Sequence, residues 1–228
     1  MQDPNLEPPF NPLPPVVTLT FLAIAGVEAG LSLGEAGMIG GPGAVGWRLE
    51  LIRDYGFSGQ IFDFMVANGT WPLSEILRLF TYPFVHLGFT HALFAMVLLL
   101  ALGKMVTEAL GPVTFASIFV LAGAGGAALY ALFLDDPAWL VGSYPSVYGL
   151  IGGYSFVMWR QLAGKGAQQY RAFSLIAFLM GIQLIWGVFF ETGLQWVAEL
   201  IGFLIGFGLC FLLAPGEWRR IREGMRRR

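Results

Sequence analysis

Six apolar stretches, each close to the length of a membrane-crossing helix, constrain this chain more than any other feature of its sequence. A helix needs about 20 mostly apolar residues to cross a hydrocarbon core of about 30 Å. The stretches that meet this length within a few residues are 15–33, 80–102, 112–134, 142–160, 171–190 and 194–214. The sequence therefore predicts an all-α membrane protein, a bundle of six transmembrane helices with a long interfacial first loop at about residues 34–79.

The composition narrows the possible functions. Hydrophobic residues make up 56% of the 228 residues and charged residues only 12%, and the net charge is −2. This balance excludes a disordered chain, a basic nucleic-acid binder and an ordinary cytosolic enzyme. The single cysteine, Cys210, excludes an intramolecular disulfide and a cysteine-cluster metal site. Because the sequence also has no Gly-rich phosphate loop and no carboxylate cluster, we expect neither a cofactor nor a metal.

Charge placement predicts three regions and an orientation. The regions are an N-terminal cytoplasmic arm (1–14), a membrane domain (15–214) and a basic cytoplasmic tail (215–228). Ten Lys and Arg residues fall on the side that holds the tail, against three in the first loop. Since positive residues stay on the cytoplasmic side, both termini are expected in the cytoplasm. Compact size and the lack of a targeting signal favour a bacterial inner membrane. Charged and apolar residues alternate in the first loop, which predicts amphipathic helices near the interface.

Several strings follow one another at characteristic spacing. They are Arg78-Leu-Phe-Thr-Tyr-Pro-Phe-Val-His86, then His91, then Gly103-x-x-x-x-Glu108-x-x-Gly111, then Gly142-Ser-Tyr-Pro-Ser-Val-Tyr-Gly149-Leu150, and finally Ala198-Glu-Leu-Ile-Gly202-Phe-Leu-Ile-Gly206. In this order and spacing, the strings resemble the rhomboid family of intramembrane serine proteases. The resemblance covers the chain from about residue 78 to 211. It implies a serine nucleophile on the fourth transmembrane helix, a histidine base on the sixth, and donors that hold the oxyanion.

This chain departs from the family pattern at the positions that carry the chemistry. Tyr144 stands at the nucleophile position, Glu199 at the base position and Ala95 at the oxyanion asparagine position, while His91 is retained. A phenol is a poor acyl acceptor, Pro145 after it has no backbone N–H, and Ala95 has no side-chain donor. The resemblance thus implies a pseudoprotease that binds transmembrane clients without cutting them.

The intramembrane carboxylates need partners, because a charge at membrane depth is costly. We predict a hydrogen bond between Tyr144 and Glu199 that locks the degenerate site. The alternative is that Glu199 lines a polar cavity used for ligand or proton contact. Glu28 faces either the bundle or a partner helix, or lies at the interface. Residues assigned to binding or packing are Arg78, His86, Gly142, Gly149, Gly202 and Gly206.

Two other functions stay open. The chain could be a dedicated subunit or assembly factor of one membrane complex. It could also be an active intramembrane endopeptidase with a non-standard nucleophile, either Ser146 or Ser143, and a Ser146–His91 dyad is the form considered. On a helix, Ser146 would be rotated by about 200° from the nucleophile position, away from the sixth helix. Ser143 is better explained as a helix cap. The expected partners are therefore a transmembrane protein and the lipid bilayer, with no nucleic acid.

Overall fold

The computed structural model describes residues 12–166, 168–190 and 193–214. The predicted basic tail, and the arm up to residue 11, lie outside these described residues. The described chain is almost entirely helical, as predicted. Its α-helices are α1 Pro15–Glu35, α2 Trp47–Tyr55, α3 Gly59–Asn68, α4 Leu73–Thr81, α5 Phe89–Leu110, α6 Pro112–Phe133, α7 Tyr144–Gly164, α8 Ser174–Phe189 and α9 Gln195–Leu213.

Within the described residues, five helical segments are long and apolar enough to cross a membrane: α1, α5, α6, α9, and α8 together with the 3₁₀ turn Gln169–Phe173 before it. The sixth long helix, α7, is less apolar because it lies in the middle of the bundle, packed against α5, α6 and α9. A helix shielded from lipid can carry polar side chains, and α7 holds the buried Ser146 and Ser155. The prediction of an all-α membrane bundle is confirmed.

The first loop folds into helices α2, α3 and α4 and a two-residue strand, β1 (Phe57–Ser58). Strand β1 pairs antiparallel with β2 (Trp139–Leu140) in the connection between α6 and α7, with Phe57 opposite Leu140. The Arg78 guanidinium lies 5.5 Å from the ring centroid of Trp139. The first loop and the α6–α7 connection therefore lie at the same end of the bundle.

The predicted bounds of the second transmembrane segment, 80–102, are wrong at both ends. Helix α5 spans Phe89–Leu110, so it begins nine residues later and ends eight residues later than predicted. The residues from 80 to 84 belong to α4 and to a 3₁₀ turn, Tyr82–Phe84. Pro83 lacks a backbone N–H and interrupts the α-helical pattern, and Gly88 is extended immediately before α5. This break carries His86 into the bundle, where its side chain is fully buried.

Helices α7 and α9 approach each other backbone to backbone. A Cβ atom added at Gly202 would overlap the Pro145 carbonyl, and one added at Gly206 would overlap the Gly149 carbonyl. Small residues allow such approach in lipid, where close packing replaces the hydrophobic effect as the source of helix association. The contact places the beginning of α7 beside Glu199 on α9.

Candidate functional site

The candidate site lies where the beginnings of α5 and α7 meet α9. His86 comes from the turn before α5, His91 from the first turn of α5, and Tyr144 from the first turn of α7. Gly142 precedes α7 with a φ of +92°, and a Cβ there would stand 2.7 Å from His91 Cε1 and 3.3 Å from His86 Cδ2. Glycine is thus required at this position both by the backbone conformation and by the two rings.

Tyr144 does not make the predicted hydrogen bond to Glu199. Its hydroxyl donates instead to the backbone carbonyl of His91, at 3.1 Å. The Tyr144 ring lies over the His91 imidazole, with the ring centroids 4.7 Å apart. The predicted acceptor, Glu199, is therefore wrong. The Tyr144 side chain is longer than that of a serine, and its hydroxyl reaches α5.

Glu199 is paired with other side chains. Its Oε2 accepts a hydrogen bond from Gln183 Nε2 of α8 at 2.5 Å, and the Tyr148 hydroxyl also hydrogen-bonds to the carboxylate. The residue is 8% exposed, so burial would be costly without these donors. Neither Gln183 nor Tyr148 was singled out from the sequence. An intramembrane carboxylate signals a need for donors, but the helices that supply them follow only from the packing.

The two candidate serines point to different neighbours. Ser146 is fully buried, and a Cβ added at Gly123 of α6 would collide with its Oγ. It therefore faces α6. His91 has other contacts, because its Nδ1 accepts from the Leu87 N–H at 3.3 Å. A Ser146–His91 dyad is not supported by this geometry.

Ser143 lies beside a different histidine, His86. Ser143 Oγ is 3.4 Å from His86 Nε2, and the Ser143 backbone N–H donates to the same nitrogen at 3.3 Å. Burial lowers the pKa of His86 to about 4, and the nearby His91 contributes in the same direction. The imidazole is therefore neutral near pH 7. Both side chains are 0% exposed, so a substrate carbonyl cannot reach the hydroxyl in this conformation.

Ala95, which the sequence places at the oxyanion asparagine position, offers no side-chain donor. Ala95 is fully buried in α5, and its methyl group cannot form a hydrogen bond. Pro145 presses its backbone carbonyl against Gly202 and has no N–H to offer. The arrangement at Tyr144, Glu199 and Ala95 therefore lacks a hydroxyl–base pair and the expected oxyanion donors.

An ion-pair cluster at the same end of the bundle, in which Arg48 and Glu28 are buried, was not predicted from the sequence. Arg48 of α2 contacts Glu28 at 2.9 Å and Glu35 at 2.5 Å, both on α1. It also donates to the backbone carbonyl of His86 at 2.8 Å. The hydrogen bonds to the two carboxylates raise the pKa of Arg48. Of the positions considered for Glu28, the structure shows the one that faces the bundle interior. Through Arg48, the cluster also connects the first loop to the backbone of His86.

Arg78 and the remaining glycines act in packing. The Arg78 guanidinium donates to the carbonyls of Arg53 and Gly56 and pairs with Glu75 at 2.8 Å. It thereby joins α4 to the end of α2. Gly149 of α7 lies against Ala122 and Ile118 of α6. These contacts hold α4 to α2 and α7 to α6.

These features define a polytopic α-helical membrane protein whose polar site lies inside the bundle. A family model described as the rhomboid domain matches residues 73–216. The chain belongs to the rhomboid family.

Curated relatives agree with this assignment. The chain is 29% identical over 163 residues to "Putative rhomboid protease YdcA" of Bacillus subtilis, covering 70% of this chain and 75% of that protein. It is 30% identical over 139 residues to RHOMBOID-like protein 4 of Arabidopsis thaliana, covering 60% of this chain. It is also 30% identical over 146 residues to RHOMBOID-like protein 1 of the same plant, covering 62% of this chain. The matches span 34% and 36% of the two Arabidopsis proteins.

Proposed function

We propose that this chain is a rhomboid-family pseudoprotease that binds transmembrane proteins without cleaving them, either as client adaptor or as a subunit of one membrane complex. The observation that carries the proposal is the bonding of the two dyad positions. The Tyr144 hydroxyl is bonded to a backbone carbonyl, and the Glu199 carboxylate to Gln183 and Tyr148. Neither group is paired as nucleophile and base, which a proteolytic dyad requires.

The packing of α8 supports binding to another membrane protein. In the most apolar 18 residues of the Gln169–Phe189 segment, only 11% of the residues are buried. In the corresponding 18-residue stretches of α5 and α6, 44% and 50% of the residues are buried. Large side chains along α8, including Phe178, Ile182 and Trp186, are exposed. A weakly packed helix at the edge of a bundle leaves apolar surface for a partner helix, and Gln183 and Glu199 add polar groups at that edge.

The proposal also covers where the protein lies in the cell and how its chain is arranged in the membrane. The membrane domain would span residues 15–214, with the basic tail 215–228 and the arm 1–14 in the cytoplasm of a bacterial inner-membrane protein. The tally of ten Lys and Arg residues against three supports this orientation.

Affinity purification from native membranes tests the proposal. The intact masses and terminal peptides of co-purifying proteins are measured. We expect an intact membrane partner in near-stoichiometric amount. Failure to recover an intact partner, or recovery of fragments with new termini, would contradict the proposal.

One observation favours an active protease as the second candidate: Ser143 Oγ lies 3.4 Å from His86 Nε2. If this pair cuts partners, the new termini disappear in Ser143→Ala and persist in Ser155→Ala. Ser155 of α7 is the matched control because, like Ser143, it is a fully buried serine. The Tyr144→Phe variant is a second control, in which the new termini should also persist. It removes the Tyr144 hydroxyl and leaves the Ser143–His86 pair in place.

A further inference from the structure

A groove opens at the end of the bundle opposite the candidate site. It has a volume of about 780 Å³ and lies among the last turns of α5, α7 and α9. Its walls are largely apolar and aromatic, and they include Leu110, Phe156, Trp159 and Phe211. A smaller hollow of about 350 Å³ adjoins it and shares Ala109, Val157 and Gln161. The shared residues place the two hollows side by side, and the smaller one lies between α5 and α7.

A guanidinium lies at this apolar groove. Arg160 lines it, and its guanidinium carbon is 5.8 Å from the ring centroid of Phe156. The acidic residue of the adjoining hollow, Glu108, is paired with Lys104 at 3.9 Å. Lys165 follows directly at the C-terminal end of α7. At this end Lys104, Arg160 and Lys165 outnumber Glu108, and after residue 214 the sequence adds six arginines against two glutamates.

We propose that this groove binds an anionic phospholipid, with an acyl chain along Phe156, Trp159 and Phe211 and the phosphate at Arg160. Charge complementarity supports this occupant, because basic pockets between transmembrane helices attract anionic headgroups. A guanidinium also matches phosphate oxygens in geometry and forms charge-assisted hydrogen bonds with them. The position fits as well: α7 ends at Gly164, so Arg160 lies one turn from the helix end, about 6 Å along its axis.

Native mass spectrometry of the delipidated full chain in detergent tests this binding. Dioleoyl phosphatidylglycerol and dioleoyl phosphatidylcholine, which share acyl chains, are titrated separately. We expect one phosphatidylglycerol to be retained at a lipid concentration about tenfold below that needed for phosphatidylcholine. The Arg160→Gln variant should lose this preference. The matched control Arg171→Gln should keep it, because Arg171 is exposed and does not line the groove.

A second variant tests whether the groove itself is needed while the charge of Arg160 is retained. Ala109 is exposed and lines both hollows, so Ala109→Trp fills the groove while Arg160 stays in place. We expect this variant to melt at the wild-type temperature and to lose the retained lipid. Equal retention of the two lipids, unchanged preference in Arg160→Gln, or unchanged retention in Ala109→Trp would each overturn the proposal. Complete displacement by millimolar inorganic phosphate would overturn it too, since it would define a phosphate site that needs no acyl chain.

Discussion

Glu199 is a buried carboxylate on the membrane helix α9, where such a group needs a hydrogen-bond donor. Its carboxylate lies among apolar helices, and its hydrogen bond to Gln183 connects the weakly packed α8 to α9. Interhelical hydrogen bonds in membranes contribute roughly 0.6–2 kcal/mol each. The Gln183 contact is thus large enough to affect how α8 is held, although α8 also packs against α7 and the turn before it.

Replacing Glu199 by leucine should lower the free energy of unfolding by about 1–2 kcal/mol, because the half-buried Gln183 and the buried Tyr148 lose their acceptor. Gln183→Leu in the same background should recover part of this loss, since it removes one unsatisfied donor. The measurement is the apparent melting temperature in detergent for both single variants and the double variant. An unchanged melting temperature in Glu199→Leu would contradict the structural role, and a purely additive double variant would show that the two side chains do not interact.

Arg48 carries a second prediction at the residue scale. Its side chain is 8% exposed and that of Glu28 is 3% exposed, so the ion pair is buried. Arg48→Met should destabilise the fold by about 3–5 kcal/mol, because it leaves a buried carboxylate without its counter-charge. Adding Glu28→Gln should restore much of the loss. The control is Arg53→Met on the same helix, whose side chain is 78% exposed and should leave the melting temperature unchanged. Equal effects of the two arginine variants would refute this assignment.

At the scale of helices, the contact between α7 and α9 should be sensitive to a single added side chain. Gly206→Val would drive its side chain into the Gly149 backbone, whereas nothing lies within 4 Å of a Cβ at Gly208. We expect Gly206→Val to lose the folded, monodisperse protein in detergent and Gly208→Val to behave as wild type. Size-exclusion profiles and melting curves of the two variants provide the measurement. A stable Gly206→Val protein would mean that the two helices are not held at backbone contact.

Helix positions were largely predictable, whereas the pairing of polar side chains was not. Runs of apolar residues located five of the six long helices to within a few residues, because lipid demands length and hydrophobicity. Both ends of α5 were missed. Residues 80–84 are apolar enough to extend a span, and the break before α5 is signalled by Pro83 and Gly88. Glu28 could be expected to have a basic partner. Choosing Arg48 rather than Arg53 requires knowing which face of α2 meets α1, and that depends on the fold of the first loop.

For the whole molecule, the orientation in the membrane follows from the two ends of the bundle. One end holds the first loop joined to the α6–α7 connection through β1 and β2. The other end holds the lipid groove, Lys104 and Lys165. Because the positive-inside rule depends on Lys and Arg near the helix ends, the second end should face the cytoplasm. The resulting expectation is that the polar site opens toward the outer half of the bilayer.

Single-cysteine labelling measures this orientation directly. Cys210 is fully buried, and Cys210→Ala gives a cysteine-free background. Asp135→Cys and Gln168→Cys then place exposed thiols at the two ends without changing any Lys or Arg. In intact bacterial spheroplasts, a membrane-impermeant maleimide should label the variant at position 135 and not the variant at position 168, and in inverted vesicles the pattern should reverse. If only the variant at position 168 were labelled from outside, the orientation would be the reverse of the one expected. Labelling of both from one side would show that α7 does not cross the membrane.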